Sequence, residues 1–159
     1  MTTSMTTPTS PADVVKAVAE GVSRLTTAGP GTDEREELID RLAAMYGEAT
    51  DVRHPFAPLG DTPLLSRAAL REHFAAPRPP AEAWAPVGMH VHETADPEVV
   101  IAEFRYEGTL DGRRFSFPCI FVTRVRDGVI IESRDYIDHL ASARAVGRLD
   151  GVLAALSGE

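Results

Sequence analysis

The sequence predicts an α+β fold, with helices gathered at the front of the chain and a long antiparallel meander behind them. Three observations carry this expectation. Apolar residues recur at helical spacing before Phe74, whereas from Val87 to Asp138 they alternate between two faces, as in successive strands. That second stretch is broken only at Asp96-Pro97, Asp111-Gly112 and Asp127-Gly128, pairs suited to turns. The length of 159 residues fits one core, burying about 68–70% of the surface exposed by the unfolded chain.

The elements follow in order. Residues 1–9 (MTTSMTTPT) read as a disordered tail and residues 10–159 as one domain. Ser10-Pro11 opens a helix, Ser as cap and Pro in the first turn, with Val14, Val15, Val18, Val22 and Leu25 as its stripe; Gly29-Pro30-Gly31 ends it. Thr32 caps a second helix with an acidic first turn and an apolar stripe running to Met45 and Tyr46, stopped by Gly47. Thr50 to Phe56 reads as a short strand presenting Thr50, Val52, His54 and Phe56 on one face, and Pro55 makes it an edge or ends it. Ser66 caps a helix to about Phe74, after which Pro77, Pro79, Pro80 and Pro86 are expected to prevent regular structure until Val87. Four strands follow, at about 87–94, 98–108, 113–125 and 128–138. Ala141 to Leu156 is a helical tail interrupted at Gly147 and Gly151, expected to cover a sheet edge or a cavity mouth.

The last strand, GVIIESRDYIDH from Gly128 to His139, is the informative one. Alternation puts Val129, Ile131, Ser133, Asp135 and Ile137 on one face, with Ile130, Glu132, Arg134, Tyr136 and Asp138 on the other. A carboxylate in an apolar row is costly to ionise unless compensated. Asp135 is therefore either a structural acid paired with Arg105 or a backbone amide, or a proton carrier, or the group that orients His54. His54, sharing a face with Val52 and Phe56, is either a core histidine bonded to backbone or a general acid–base, for which its titration near neutrality suits it. Glu103 and Arg105 share a strand face with Ile101, as a cavity-lining pair or a solvated ladder pair.

Composition narrows the function. A net charge of −8 argues against nucleic acid or a basic membrane footprint, and no apolar run approaches the ~20 residues that cross a bilayer. The N-terminus lacks a leader pattern, so the expected location is the cytoplasm. The one cysteine, Cys119, forms no internal disulfide and reads as a packed small residue. His90 and His92 share a strand face, a spacing some metal sites use, but no further ligands stand at a matching spacing and neither metal nor cofactor is expected. His73 reads as a surface residue.

The order of elements resembles the cone-shaped nuclear transport factor 2-like superfamily, in which a strongly curved, mostly antiparallel sheet wraps around three N-terminal helices. His54-Pro55-Phe56, eight residues after Tyr46, is similar to the site of the catalytic Asp-Pro of ketosteroid isomerases. ESRDYIDHL, from Glu132 to Leu140, resembles the last strand of SnoaL-like polyketide cyclases and related small hydrolases. The resemblance spans roughly Asp33 to Leu140. His54 replaces the isomerase base, Phe121 stands where that family has its oxyanion-side Asp, and no tyrosine occupies the first helix. Steroid isomerisation by that mechanism is not expected. Asp135 falls where the last-strand acid of the cyclases and of limonene-epoxide hydrolases lies. Glu103 and Arg105 match the spacing of a hydrolase Asp–Arg pair in reversed order.

The resemblance implies a cofactor-free acid–base enzyme, an isomerase, cyclase or epoxide-opening hydrolase, acting on a hydrophobic polyketide-like or polycyclic molecule. His54, Asp135 and Arg105 would be catalytic, with Arg105 steadying oxyanion charge. Tyr46, Val52, Phe56, Glu103, Phe117, Cys119, Phe121, Ser133 and Ile137 would line the pocket. The alternatives are a non-catalytic binder of a hydrophobic metabolite and a dimeric interaction domain. A homodimer is expected in each case, through an outer face carrying Ile120, Val122, Ile130 and Tyr136.

Overall fold

The structure is a computed structural model and describes residues 10–158, so the expected tail over residues 1–9 lies outside the described residues. Helix α1 (Pro11–Thr27) starts as its sequence dictates: the Ser10 hydroxyl accepts a 3.1 Å hydrogen bond from the Asp13 amide, with Pro11 in the first turn. Helix α2 (Asp33–Ala44) is capped by Thr32, whose hydroxyl accepts from the Arg35 amide at 3.2 Å. It stops before Tyr46, earlier than expected. The Met45 carbonyl accepts the Ile130 amide at 2.8 Å, so pairing with the last strand draws Tyr46 out of the helix and into strand β1 (Tyr46–Arg53).

A three-residue strand β2 (Leu64–Ser66), not foreseen from the sequence, precedes helix α3 (Arg67–Ala75), which Ser66 caps through the Ala69 amide at 3.1 Å. The meander is β3 (Ala83–Glu93), β4 (Val99–Leu110), β5 (Arg113–Arg126) and β6 (Val129–Ile137). Two tight turns join its later strands, with positive φ at Asp111 (50°) and Gly112 (73°) and at Asp127 (52°) and Gly128 (79°). β3 begins earlier than Val87 and contains Pro86. It is the edge of the six-stranded sheet, ordered β2-β1-β6-β5-β4-β3, where a missing N–H costs no ladder bond.

The sheet is antiparallel except for β1 against β6, which run parallel with Val52 opposite Ser133. It is strongly curved, and its ladder slips where β1 meets β2 and β6, at Gly88 in β3 (φ 65°), and where β5 meets the start of β6. The slip in β6 corrects one expectation. Arg124 faces Glu132 while Val125 faces Ile130, leaving Ile131 as an extra residue. Ile130 therefore points into the core, only 2% exposed, and does not belong to the outer face.

Helices α1 to α3 fill the concave side through two adjoining clusters. One joins Val14, Leu38, Ile39, Leu42, Leu70 and Phe74 to Tyr46, Val52 and Ile130; the other sets Val15 and Ala19 against Phe104, Tyr106, Phe117 and Phe121. Helix α4 (His139–Ala145) packs Ala141 on the second cluster, whereas α5 (Leu149–Ser157) buries no residue, so only the first half of the tail acts as a cover. Gly147 (φ 73°) separates the two helices, and Gly151 causes no break.

At Gly108 the pairing between β3 and β4 leaves no room for a side chain. A Cβ there would lie 2.0 Å from the Ala83 carbonyl oxygen and 2.7 Å from the Phe115 ring. Gly108→Ala is expected to prise this edge apart and to destabilise the protein by about 1–3 kcal/mol, read from urea denaturation.

Candidate active site

Asp135 lies in the middle of β6, 9% exposed, at the seam between the two core clusters. The Ser133 hydroxyl, two residues away on the same face, donates a 2.5 Å hydrogen bond to Asp135 Oδ1. Ser133 Oγ also lies 3.0 Å from the Thr123 hydroxyl on β5, which can donate to it. With Oδ1 occupied as an acceptor, the carboxyl's exchangeable proton belongs on Oδ2, and Oδ2 lies 3.8 Å from His54 Nε2. Burial pushes this carboxyl up to about 7, against the opposing pull of the Ser133 hydrogen bond and the Arg134 charge.

His54 reaches the site just past the end of β1. Pro55 supplies no N–H to continue the strand, and the chain turns, the Ala57 amide donating to the His54 carbonyl at 3.0 Å. The Asp61 carboxylate accepts the His54 amide at 2.9 Å and fixes the turn. The imidazole stands between two others, its centroid 5.7 Å from His73 and 6.2 Å from His139. Desolvation lowers the pKa of His54, against a smaller upward pull from Asp61, so the ring is neutral at neutral pH. Desolvation also depresses His73, helped by the Arg78 and His54 charges, although the residue is exposed at the pocket rim and water there limits the effect. His139 is lowered by desolvation and then by His54, and its Nε2 is buried without a hydrogen-bond partner.

Asp135, His54 and His73 border a cavity of about 90 Å³, lined also by Val18, Tyr46, Val52, Leu70, Tyr106, Phe121 and Ile137; His139 stands behind His54, outside that lining. Neither the Tyr46 nor the Tyr106 phenol has a hydrogen-bond partner among the described residues. Desolvation, reinforced by Asp135 among other groups, holds both well above the usual tyrosine range, so each is a neutral O–H donor. A larger groove of about 320 Å³ opens between β5 and α4, but its lining of Arg113, Arg114, Phe115, Ser116, Ala141, Arg144 and Ala145 holds no acid or imidazole. Of the two, only the smaller cavity is lined by an acid and imidazoles.

The structure thus brings His54, Asp135, Tyr46, Val52, Phe121 and Ile137 together as expected, and removes others. Arg105 is on the outer face of β4, where its Nε donates to Ser116 Oγ at 2.9 Å and lies 3.9 Å from Glu107. Glu103 is on that face too, 2.5 Å from His92. The cause is the alternation of β4, which turns Ala102, Phe104 and Tyr106 inward and every residue between them outward. Phe56 is 67% exposed and packs on Tyr136 on the outer side, centroids 5.1 Å apart, because Pro55 has ended the strand. Phe117 and Cys119 are buried in the second cluster without lining the cavity, and Ser133 supports Asp135 from beneath. Burial pushes the Cys119 thiol up to about 12, far from a reactive thiolate.

Three polar residues line the cavity that the sequence reading left out of the site, His73, Arg78 and Tyr106. Tyr106 follows from the same alternation as Phe104, and His73 stands at the exposed rim, three residues after Leu70 and next to Phe74 on α3. Arg78, in the Pro-rich connection, has no such signal. His90 and His92 lie outside, and among the described residues no group of three or more His, Cys, Asp or Glu is placed to hold a metal ion.

The raised carboxyl has a consequence for stability. The folded state holds the Asp135 proton to a higher pH than the unfolded chain, so ionising it costs stability increasingly from about pH 4 to about pH 7, and the full cost remains above that. Asp135→Asn is therefore expected to stabilise the fold, by an amount that grows between pH 5 and pH 8 on the order of 2 kcal/mol. Urea titrations at the two pH values check this; a pH-independent difference contradicts the buried-acid assignment.

Comparison with known proteins agrees with this architecture. A Pseudomonas aeruginosa protein, the uncharacterized PhzA/B-like protein PA3332, is 35% identical over 72 residues, 44% of this chain and 51% of its own. The chain thus spans about half the length of that relative. A Bacillus subtilis protein proposed to be an isomerase superposes with a TM-score of 0.66 at 20% identity, over 88% of this chain and 97% of that one. A proposed polyketide cyclase from Xanthomonas campestris pv. campestris does so with a TM-score of 0.61 at 16% identity, over 86% and 96%. At such identities the superpositions establish the fold alone. Residues 12–133 match the profile of the SnoaL-like domain, and with the curved sheet, the helices on its concave side and the enclosed carboxyl on its last strand, the chain belongs to the SnoaL-like family of the nuclear transport factor 2-like superfamily.

Proposed function

We propose that this protein is an acid–base enzyme of the cyclase or isomerase type, moving a proton at a carbon next to a carbonyl in a hydrophobic small molecule. The observation that carries this is Asp135: a carboxyl pushed up to about 7, with Oδ2 turned toward a neutral imidazole 3.8 Å away in a cavity walled mostly by apolar and aromatic side chains. A carboxyl poised near neutrality is present in usable amounts as both acid and base. Ionised Asp135 takes the proton from carbon, and the Tyr46 or Tyr106 hydroxyl donates to the oxygen on which charge develops. A substrate oxygen about 2.8 Å from both Asp135 Oδ2 and His54 Nε2 spans the gap between them, so the proton can return at another atom. Return to a different carbon gives isomerisation, and attack of the enolate on a second carbonyl gives aldol cyclisation. Epoxide opening loses support, since Glu103 and Arg105 face away from the cavity.

The cavity constrains the substrate. At about 90 Å³ it is smaller than the ~150 Å³ that accommodates benzene, so only the reacting end of a polycycle fits without displacing the rim at His54 and His73. A binder without turnover would use the same space but has no use for a carboxyl held near neutrality. Asp135→Asn is expected to lower kcat by about 10²–10⁴-fold with little change in KM, and His54→Ala to lower it by a similar order. Exchange of the α-protons of a 1,3-diketone such as acetylacetone into D2O gives a substrate-independent readout. Its rate should rise through a midpoint near pH 7 in the wild type and lose that limb in Asp135→Asn. Full activity in both variants would sink the acid–base reading.

We also propose a homodimer through the outer sheet face, without Ile130, which faces inward; Ile120, Val122 and Tyr136 remain, and Val87, 40% exposed like Ile120, adds to them. Light scattering at tens of micromolar should give twice the chain mass. A monomer there rules the dimer out.

A further inference from the structure

The cavity holds a cation without a counter-charge. Arg78 lines it beside Tyr106 and His73, and its only hydrogen bond among the described residues is a 3.4 Å donation to the His73 carbonyl. Two more guanidiniums converge on the same stretch of chain, Arg35 donating to the Ala76 carbonyl at 3.1 Å and Arg148 to the Pro77 carbonyl at 3.5 Å. None of the three has an ion pair with a carboxylate among the described residues. The contrast with other partly buried arginines is direct: Arg124 meets Asp96, Glu98 and Glu132, and Arg134 meets Asp51. An arginine cannot shed its proton to relieve burial, so desolvation and the neighbouring Arg35 and Arg148 charges weigh on Arg78 uncompensated. In a chain of net charge −8, the long-range field cannot account for an anion drawn to this point. Arg78 is half-buried and borders the cavity, so a counter-charge held there would stand beside it.

We propose that the ligand is an apolar organic acid whose carboxylate pairs with Arg78 while its body lies against Val18, Val22, Phe121 and Ile137. This deepens the acid–base reading and rests on it for the part played by the opposite end of the ligand, which faces Asp135 and His54. The planar fork of the guanidinium accepts a carboxylate through two parallel hydrogen bonds, fixing orientation as well as charge. Tyr106, within electrostatic reach of both Arg78 and Asp135, marks the path between the anchored end and the reacting end.

The test compares propanoate with its neutral amide, propanamide, each with one heavy atom fewer than benzene, by NMR titration at pH 8. There His54, His73 and His139 are neutral and cannot attract an anion. Wild type is measured alongside Asp135→Asn, which removes the competing negative charge. In Asp135→Asn the acid should bind at least about tenfold more tightly than the amide. Adding Arg78→Met should abolish that preference, and Arg78→Lys should keep part of it. Arg78→Met alone should melt at or above the wild-type temperature, because it removes an unpaired charge and keeps the stem. Equal affinity for acid and amide in Asp135→Asn, a preference that survives Arg78→Met, or a fall of several degrees in Tm for that variant would each overturn the proposal. Because these are equilibrium measurements, they remain decisive even if Asp135→Asn retains turnover and the acid–base reading fails.

Discussion

The burial of the Asp135 carboxyl with no arginine or lysine in ion-pair contact is the constraint on which the rest of the site depends. An ionised carboxylate in such a place would normally be neutralised by an arginine, and Arg105 was the obvious partner. The partner actually supplied is weaker: one hydroxyl from Ser133, itself backed by Thr123. That support fixes the carboxyl's orientation without holding it ionised, which leaves the second oxygen free to face His54. Removing charge partners is therefore as much a part of the design as placing the acid. The arginines of this sheet are kept on its outer face, where Arg124 and Arg126 are tied to Asp96, Glu98 and Glu132.

Curvature is what turns a row of strand residues into a cavity wall. The ladder slips at β1, at Gly88 and at Ile131 bend the sheet around the helices, and β6, in the middle of the order, presents Asp135 toward α1 and α3. Aromatic packing on β4 and β5 closes the other side, with Phe104 edge-on to both Tyr106 and Phe121 at 5.0 Å. The cavity is what those contacts leave unfilled, and its polar groups sit on otherwise apolar walls.

Features set by neighbouring residues were readable in the sequence. The caps at Ser10, Thr32 and Ser66, the turns at Asp111-Gly112 and Asp127-Gly128, and the inward Asp135 all depend on chemistry a few positions apart. What failed depended on distant partners. Tyr46 is helical by local pattern, yet the Ile130 amide captures the preceding carbonyl. Ile130 and Ile131 change roles because one extra residue enters the ladder, which alternation cannot register. Pro86 is acceptable in a strand only because β3 lies at the edge. Alternation could group Glu103 with Arg105, but it could not say which face of the sheet the helices cover. Arg78 sits between prolines, where no periodicity speaks for any direction at all.

The parallel pairing of β1 with β6 has a consequence for how the site comes into being. Arg134 reaches back across 83 positions of sequence to bond the Asp51 carbonyl at 2.9 Å and its carboxylate at 3.1 Å; Asp135 is the residue after Arg134, and His54 lies three residues after Asp51. Closing so long a loop is entropically slow, and parallel pairing of this kind is among the later events in folding. On the ribosome, the helices and β1 emerge well before the strand that completes the sheet. A nascent chain therefore carries His54 beside an open edge until the last strand is made, and the His54–Asp135 pair exists only once the final third of the polypeptide has docked.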